Sequence, residues 1–154
     1  MRAQVARHAL HSATREIIAA DVIEGRLTAL EMATWLVSQP GVPLAYSSAD
    51  PDVVRAVQDK YGRDGSAAAL EGFFADVARR CRDAGVSRII TAGGETSGAV
   101  VEGLGLKTLQ IGPEIDPGVP ALRTGADLVI ALKSGNFGAE DFFEKADKVL
   151  AGKW

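Results

Sequence analysis

The sequence is poor in several features that mark particular classes of protein. It has a single cysteine, Cys81, so no disulfide forms within the chain. No apolar run approaches the ~20 residues that a membrane-spanning helix requires, and the first residues lack the apolar core of a signal peptide. The 17 basic residues are scattered among 20 acidic ones and form no cluster. We therefore expect a cytoplasmic protein that binds neither membranes nor nucleic acids.

The common nucleotide-binding fingerprints are also missing. Residues 103–108 contain two glycines and a lysine, but their spacing differs from that of a P-loop. The glycines at 93 and 94 do not fit the dinucleotide-binding pattern either. A nucleotide site in this chain would have to be of a less common type.

What is present predicts one globular domain over residues 1–154, because 47% of the residues are hydrophobic and 24% are charged. Apolar spacing and turn signals predict helices at 2–11, 27–39, 51–58, 66–84, 95–104 and 139–150, and strands at 42–46, 88–92, 107–111 and 127–132. Residues 13–23 are ambiguous. This alternation predicts a three-layer α/β fold, with a parallel or mixed sheet flanked by helices. The first helix begins so close to Met1 that we expect the domain to be the trailing part of a longer chain.

The first of two glycine-rich turns follows the strand predicted at 88–92. Gly93 and Gly94 precede a predicted helix, whose first N–H groups lack partners and carry partial positive charge, as phosphate binding requires. Glu95, Thr96 and Ser97 add oxygen ligands. The alternative is a tight turn in which Thr96 caps the helix. Two glycines inside that helix, Gly98 and Gly103, each cost about 1 kcal/mol relative to alanine unless close packing uses them.

The second turn follows the buried strand predicted at 127–132 and precedes the last helix. Lys133 would place its ammonium on a phosphate, while Ser134, Gly135 and Asn136 form the turn around it. The alternative makes Lys133 a solvated strand end and Gly135 an ordinary turn residue. Two such turns in one small domain indicate a nucleotide site.

The carboxyl ends of parallel strands share one edge of a sheet, where ligands collect. We therefore expect four segments to converge there: Ser47 with Ser48, and residues 93–96, 112–116 and 133–138. The loop predicted at 111–120 contains three prolines and two carboxylates, those of Glu114 and Asp116. These carboxylates are either magnesium ligands beside a phosphate or parts of a structural turn.

Four long segments of the sequence, 46–51, 91–100, 111–120 and 131–143, resemble the four-carbon acid sugar kinases, most closely the 3-oxo-tetronate kinases. The resemblance covers essentially the whole chain. It implies the C-terminal nucleotide-binding domain of a two-domain kinase that uses ATP and Mg²⁺ to phosphorylate a four-carbon sugar acid, with an N-terminal sugar-acid domain absent here. It also implies ATP contacts at five residues: Gly93, Gly94, Glu95, Thr96 and Gly135.

Three readings of the function stay open at this point. The first is the ATP-binding part of a kinase, with the group that activates the sugar hydroxyl in the absent domain. The second is a non-catalytic or regulatory nucleotide-binding module that remains after loss of the substrate domain. The third is a scaffold without a ligand, in which the glycines only make turns. A domain separated from its partner would also expose apolar surface, so homo-oligomers are expected.

Overall fold

The computed structural model describes residues 1–47, 50–125, 127–152 and 154. Its helices are α1 (Arg2–His8), α2 (Ala19–Ile23), α3 (Ala29–Ser38), α4 (Pro51–Tyr61), α5 (Arg63–Asp83), α6 (Gly94–Gly103) and α7 (Phe142–Ala151). Its strands are β1 (Thr14–Ile17), β2 (Leu44–Ser47), β3 (Arg88–Ala92), β4 (Gln110–Asp116), β5 (Val119–Thr124) and β6 (Leu128–Lys133). Among these residues, none of the helices has the length and apolar character needed to span a bilayer.

The strands form two separate sheets. β1 and β2 pair in parallel, and the larger sheet has the order β3-β6-β5-β4. Within the larger sheet β3 and β6 are parallel, whereas β5 is antiparallel to both of its neighbours. The sheet is therefore mixed, and the carboxyl ends of β3, β6 and β4 lie at the same edge.

Helices cover both faces of the larger sheet. On one face α7 packs through Phe142, Phe143, Ala146 and Leu150 against the sheet residues Val119, Ala121 and Ala131. On the other face Val100 of α6 and Leu104, which follows that helix, pack with Leu128 and Ile130. This arrangement confirms the predicted three-layer α/β fold.

One long helix, α5, packs against both sheets. Its residues Phe73, Val77 and Cys81 share a core with Ile17 of β1, while Ala78 packs with Ile130 of β6. Burial raises the pKa of the Cys81 thiol, as suits the buried structural cysteine that the sequence predicts.

The prediction of a loop over 111–120 is wrong. Residues 110–124 form the antiparallel hairpin of β4 and β5, joined by the turn at Gly118, which has a φ of +80°. Prolines fit this hairpin because Pro113 lies on the edge strand at a register shift, and Pro120 precedes the first residue of β5 that pairs with β6. The ambiguous residues 13–23 form β1 and α2.

Candidate nucleotide-binding site

The first glycine turn has the geometry that the sequence predicts. Gly93 follows β3 with a φ of +106°, a conformation that favours glycine, and α6 begins at Gly94. No side chain caps this helix, so Thr96 is not its cap. The first N–H groups of α6 thus lack helical partners, and the Gly94 and Glu95 side of the turn is exposed. This turn offers backbone donors to an anion.

A hydrogen bond between two buried hydroxyl groups holds the two sides of the first glycine turn together. The Oγ1 of Thr91 lies 2.7 Å from the Oγ of Ser97, which joins the end of β3 to the first turn of α6. The Ser97 N–H donates to the Gly93 carbonyl at 2.9 Å. The turn is therefore held by its own residues and needs no ligand to take its shape.

The second turn differs from the prediction in one respect. The helix expected from Ala139 begins only at Phe142, so Gly135 and Asn136 lie in a β-turn, closed by the Phe137 N–H on the Ser134 carbonyl at 3.1 Å. The backbone after this turn bonds to distant residues instead of to helical partners. Asp116 accepts from the Ala139 N–H at 2.9 Å, for example. The donors of this turn therefore belong to a loop and gain nothing from a helix N-terminus.

The two turns are directly joined. The Gly93 N–H donates to the Lys133 carbonyl at 2.8 Å, in continuation of the β3–β6 ladder. This contact places Gly93, Gly94, Glu95 and Thr96 beside Lys133, Ser134, Gly135 and Asn136, as the sequence predicts for neighbouring strand ends. No heavy atom of the rest of the described structure lies within 4 Å of a Cβ built on Gly94 or Gly135, so the space over both glycines is open.

Lys133 is fully buried, which overturns its alternative reading as a solvated strand end. Its Nζ donates to the carbonyls of Ser134 and Gly135 at 3.0 and 2.9 Å, and it lies 5.8 Å from the centre of the Phe142 ring. Burial lowers the pKa of the ammonium. The ammonium therefore holds the turn from inside. The sequence-based prediction that Lys133 extends outward to a phosphate is not what the structure shows.

Sequence reasoning missed Gln4. This buried residue of α1 donates through Nε2 to three carbonyls of the second loop, those of Phe137 (3.2 Å), Gly138 (3.0 Å) and Ala139 (2.9 Å). The available signal was the spacing of Gln4 and His8, two polar residues four positions apart on the buried face of the same helix. Helix α1 is thereby fastened to the carboxyl edge of the larger sheet.

The two predicted carboxylates have structural partners. Glu114 accepts from the Gly118 N–H at 2.9 Å, and the buried Asp116 lies 2.7 Å from the Nζ of Lys145. Burial by itself raises the pKa of Asp116, but the hydrogen bonds from Lys145 and the Ala139 N–H outweigh it, so the pKa lies below its ordinary value. The described residues contain no group of three or more His, Cys, Asp or Glu side chains suited to a metal ion. Because Glu114 and Asp116 are both engaged within the chain, we assign neither carboxylate to a magnesium ion.

Two of the segments expected at this edge are placed differently. Ser48 lies outside the described residues, and Ser47 ends β2 in the other sheet. Gly112 lies inside β4, beneath the ring of Trp154, where a Cβ would come within 2.2 Å of the ring. From the segment 112–116, Asp116 reaches the second loop, where it accepts from the Ala139 N–H.

Comparison with known proteins identifies the family. A family model described as a nucleotide-binding C-terminal domain matches residues 1–143. The 3-oxo-tetronate kinase of Pseudomonas savastanoi pv. phaseolicola is 48% identical over 134 residues, which is 86% of this chain and 31% of that protein. The Pectobacterium atrosepticum 3-oxo-tetronate kinase is 42% identical over 156 residues, covering 96% of this chain and 37% of that protein.

A solved structure supports the same relationship. A Haemophilus influenzae protein superposes with a TM-score of 0.89 at 35% identity, covering 97% of this chain and 37% of that one. The chain spans about a third of the length of the curated relatives it matches. It belongs to the family of nucleotide-binding C-terminal domains found in four-carbon acid sugar kinases, and its curated relatives there are 3-oxo-tetronate kinases.

Proposed function

We propose that this chain is the ATP-binding part of a kinase that phosphorylates a four-carbon sugar acid such as a 3-oxo-tetronate. The observation that carries the proposal is the pair of glycine turns joined by the Gly93 N–H and the Lys133 carbonyl. One turn opens an uncapped helix, and the other is built around a buried cation. Both features favour a polyanion at the same edge of the sheet.

The residues have distinct roles in this proposal. The first N–H groups of α6, at Gly94, Glu95 and Thr96, donate to phosphate oxygens, and Gly93 allows the close approach. Lys133 holds the carbonyls of Ser134 and Gly135 inward, which leaves the outer side of this turn and Asn136 for the ligand. When bound, ATP supplies the phosphoryl group that is transferred. Any magnesium ion would be held mainly by the phosphates, and we assign no side chain to it.

The acceptor side of the reaction lies outside this chain in our proposal. The relatives named 3-oxo-tetronate kinase are about three times longer than the segment they share with this chain. We place sugar-acid recognition and the group that activates the sugar hydroxyl in that additional polypeptide. The chain alone is then expected to bind nucleotide and to transfer no phosphoryl group to a sugar acid.

The test is calorimetric titration of the chain with ATP and with a non-hydrolysable analogue, on two matched glycine variants. Gly93 and Gly85 have similar φ values, +106° and +97°, and alanine at either costs about 1–3 kcal/mol of backbone strain. Gly85 follows α5 at the opposite end of β3. We expect Gly93→Ala to weaken binding about tenfold or more, and Gly85→Ala to leave it unchanged.

Two results would contradict the proposal. Equal affinity of both variants would show that the nucleotide binds away from the first turn. Absence of saturable binding to the chain with intact glycines would show that it does not carry the phosphate site by itself.

A further inference from the structure

Two unpaired strand edges face one cavity. Among the described residues β2 pairs only with β1, and β3 pairs only with β6. All four residues of β2 and all five of β3 line a cavity of about 940 Å³, which we call the β2–β3 cleft. Unpaired edges inside a domain are unusual because they leave backbone donors and acceptors without partners.

The direction of the backbone groups follows from three hydrogen bonds. The Ser87 carbonyl and the Gly93 N–H both bond to β6, so in β3 the odd-numbered residues face β6. The N–H and C=O groups of Arg88, Ile90 and Ala92 therefore face away from β6, toward the cleft. In β2 the Leu44 N–H donates to the carbonyl of Ala13, just before β1. The N–H and C=O groups of Ala45 and Ser47 therefore face away from β1. The cleft thus has a hydrogen-bonding row on each of its two strands.

Helices line the cleft as they would cover a strand, and its volume matches that of one strand. Val77, Ala78 and Cys81 of α5 line it, as do Val5 of α1 and Phe143 of α7. A strand of five residues rises about 3.3 Å per residue, occupies about 4.8 Å between its neighbours and fills a layer about 10 Å thick, which gives about 800 Å³. This estimate is close to the volume of the cleft.

Helix α1 has the direction of a helix that follows such a strand. Its Gln4 bonds to carbonyls beyond the carboxyl end of β6, and its His8 Nε2 lies 2.7 Å from the carbonyl of Val42, just before β2. The chain then enters β1 at its amino end. A strand in the cleft, parallel to β2 and β3, would end near the start of α1 and form a β-α-β unit with α1 and β1.

We propose that the β2–β3 cleft holds a β-strand from the polypeptide that precedes α1 in the full-length protein. This strand pairs in parallel with β2 on one side and β3 on the other. It joins the two sheets into one, in the order β1-β2-strand-β3-β6-β5-β4. The match to only 31% of the length of one relative, through a C-terminal domain model, is consistent with such a preceding segment. The proposal does not depend on nucleotide binding.

Amide hydrogen exchange on the unmodified chain, followed residue by residue by NMR, gives the first test. We expect the outward-facing amides of Ile90 and Ala92 to exchange about tenfold or more faster than those of Ile89 and Thr91, which face β6. The difference should be the same at low and high protein concentration. Equal protection of both sets at low concentration would show a closed cleft and overturn the proposal. Protection of the outward set that grows with dimer formation would assign the cleft to a second copy and also overturn it.

A designed extension gives the second test and uses the only cysteine of the chain, Cys81, which lines the cleft. A run of about six valine and isoleucine residues, followed by a short Ser-Gly loop, is placed before Met1, and one cysteine is moved through the run. We expect disulfides with Cys81 at alternate positions only, those that face α5, in monomeric protein. We also expect slower exchange of the Ile90 and Ala92 amides.

Two matched controls accompany the extension. Cys81→Ala should abolish the cross-links, and an extension with proline at alternate positions should leave the amides unprotected because proline lacks the ladder donor. Cross-linking at every position equally, or at none, would overturn the proposal. If the extended chain is insoluble, the exchange rates of the unmodified chain decide the question by themselves.

Discussion

The contact between Gln4 and the second loop allows a prediction with a defined sign and size. The Gln4 amide group presents two protons to three carbonyls of residues 137–139, and the side chain is buried. Gln4→Glu replaces this donor with a carboxyl group that faces the same carbonyls. The ionised form is then disfavoured in the folded chain, both by burial and by the neighbouring oxygens.

The magnitude follows from proton linkage. The pKa of the introduced carboxyl should be higher in the folded chain than its value of about 4.3 in the unfolded chain. Between these two pKa values only the folded chain holds the proton, so the free energy of unfolding falls by about 1.4 kcal/mol for each unit of rising pH. From about pH 5 to 7 the Gln4→Glu variant should lose up to ~3 kcal/mol relative to the unmodified chain.

Urea unfolding at several pH values measures this loss, and Gln4→Met is the matched control. Methionine has a similar size and does not titrate. It removes hydrogen bonds worth about 1–3 kcal/mol together, but it also removes the Oε1 of Gln4, which is buried without a partner among the described residues. The control should therefore be moderately destabilised, with the pH dependence of the unmodified chain. A Gln4→Glu variant whose stability runs parallel to that control across this pH range would refute the reasoning.

Three further predictions concern charge and packing. Lys133→Met should change the free energy of unfolding by less than about 2 kcal/mol, because an apolar side chain of similar size replaces a buried charge. It should nevertheless weaken ATP binding in the calorimetric titration. Unchanged affinity would count against the role of Lys133 in the second turn. Asp116→Asn should be less stable than the unmodified chain near pH 7. Because the pKa of Asp116 is lowered in the folded chain, its stabilisation is present above about pH 4 and is lost as the pH falls through the folded-state pKa. Thermal unfolding should therefore show a difference in stability that shrinks in acid, and a difference independent of pH would contradict this. Gly98→Ala should stabilise the chain by about 1 kcal/mol because no neighbouring residue lies within 4 Å of the new methyl group. Gly103→Ala should destabilise the chain, because the new Cβ would lie 2.8 Å from the Cβ of Ala75 in α5. Denaturant midpoints that move in the same direction for both variants would be inconsistent with this packing.

Local patterns in the sequence predicted the first turn well. The strand predicted at 88–92 has the same bounds as β3, and Gly93 takes the positive φ that a turn into a helix requires. Both depend on neighbours in the chain, namely a β-branched run followed by glycines. The fold class followed from the same alternation of elements.

Where distant residues decide the structure, the sequence was less informative. The prolines and Gly118 between 113 and 120 read as a loop, although edge position and register shifts accommodate them in a hairpin. The last helix starts late, at Phe142, and the residues just before it bond to distant partners: the Ala139 N–H, for example, donates to Asp116, 23 residues away. Gln4 lies more than 130 residues from the loop it holds, and its identity carries no local mark of that contact.

The position of α5 has a consequence for how the molecule responds to damage. Within the described residues the two sheets share no strand pairing. Neighbouring residues of α5 pack against different sheets: Val77 shares a hydrophobic cluster with Ile17 of β1, and Ala78 shares one with Ile130 of β6. Loss of methyl groups at Val77 should therefore loosen β1 and β2 first, while the larger sheet keeps its order. Without a strand in the cleft, this helix is a principal connection through which the unfolding of one half is transmitted to the other, and the cooperativity of the whole domain depends on it.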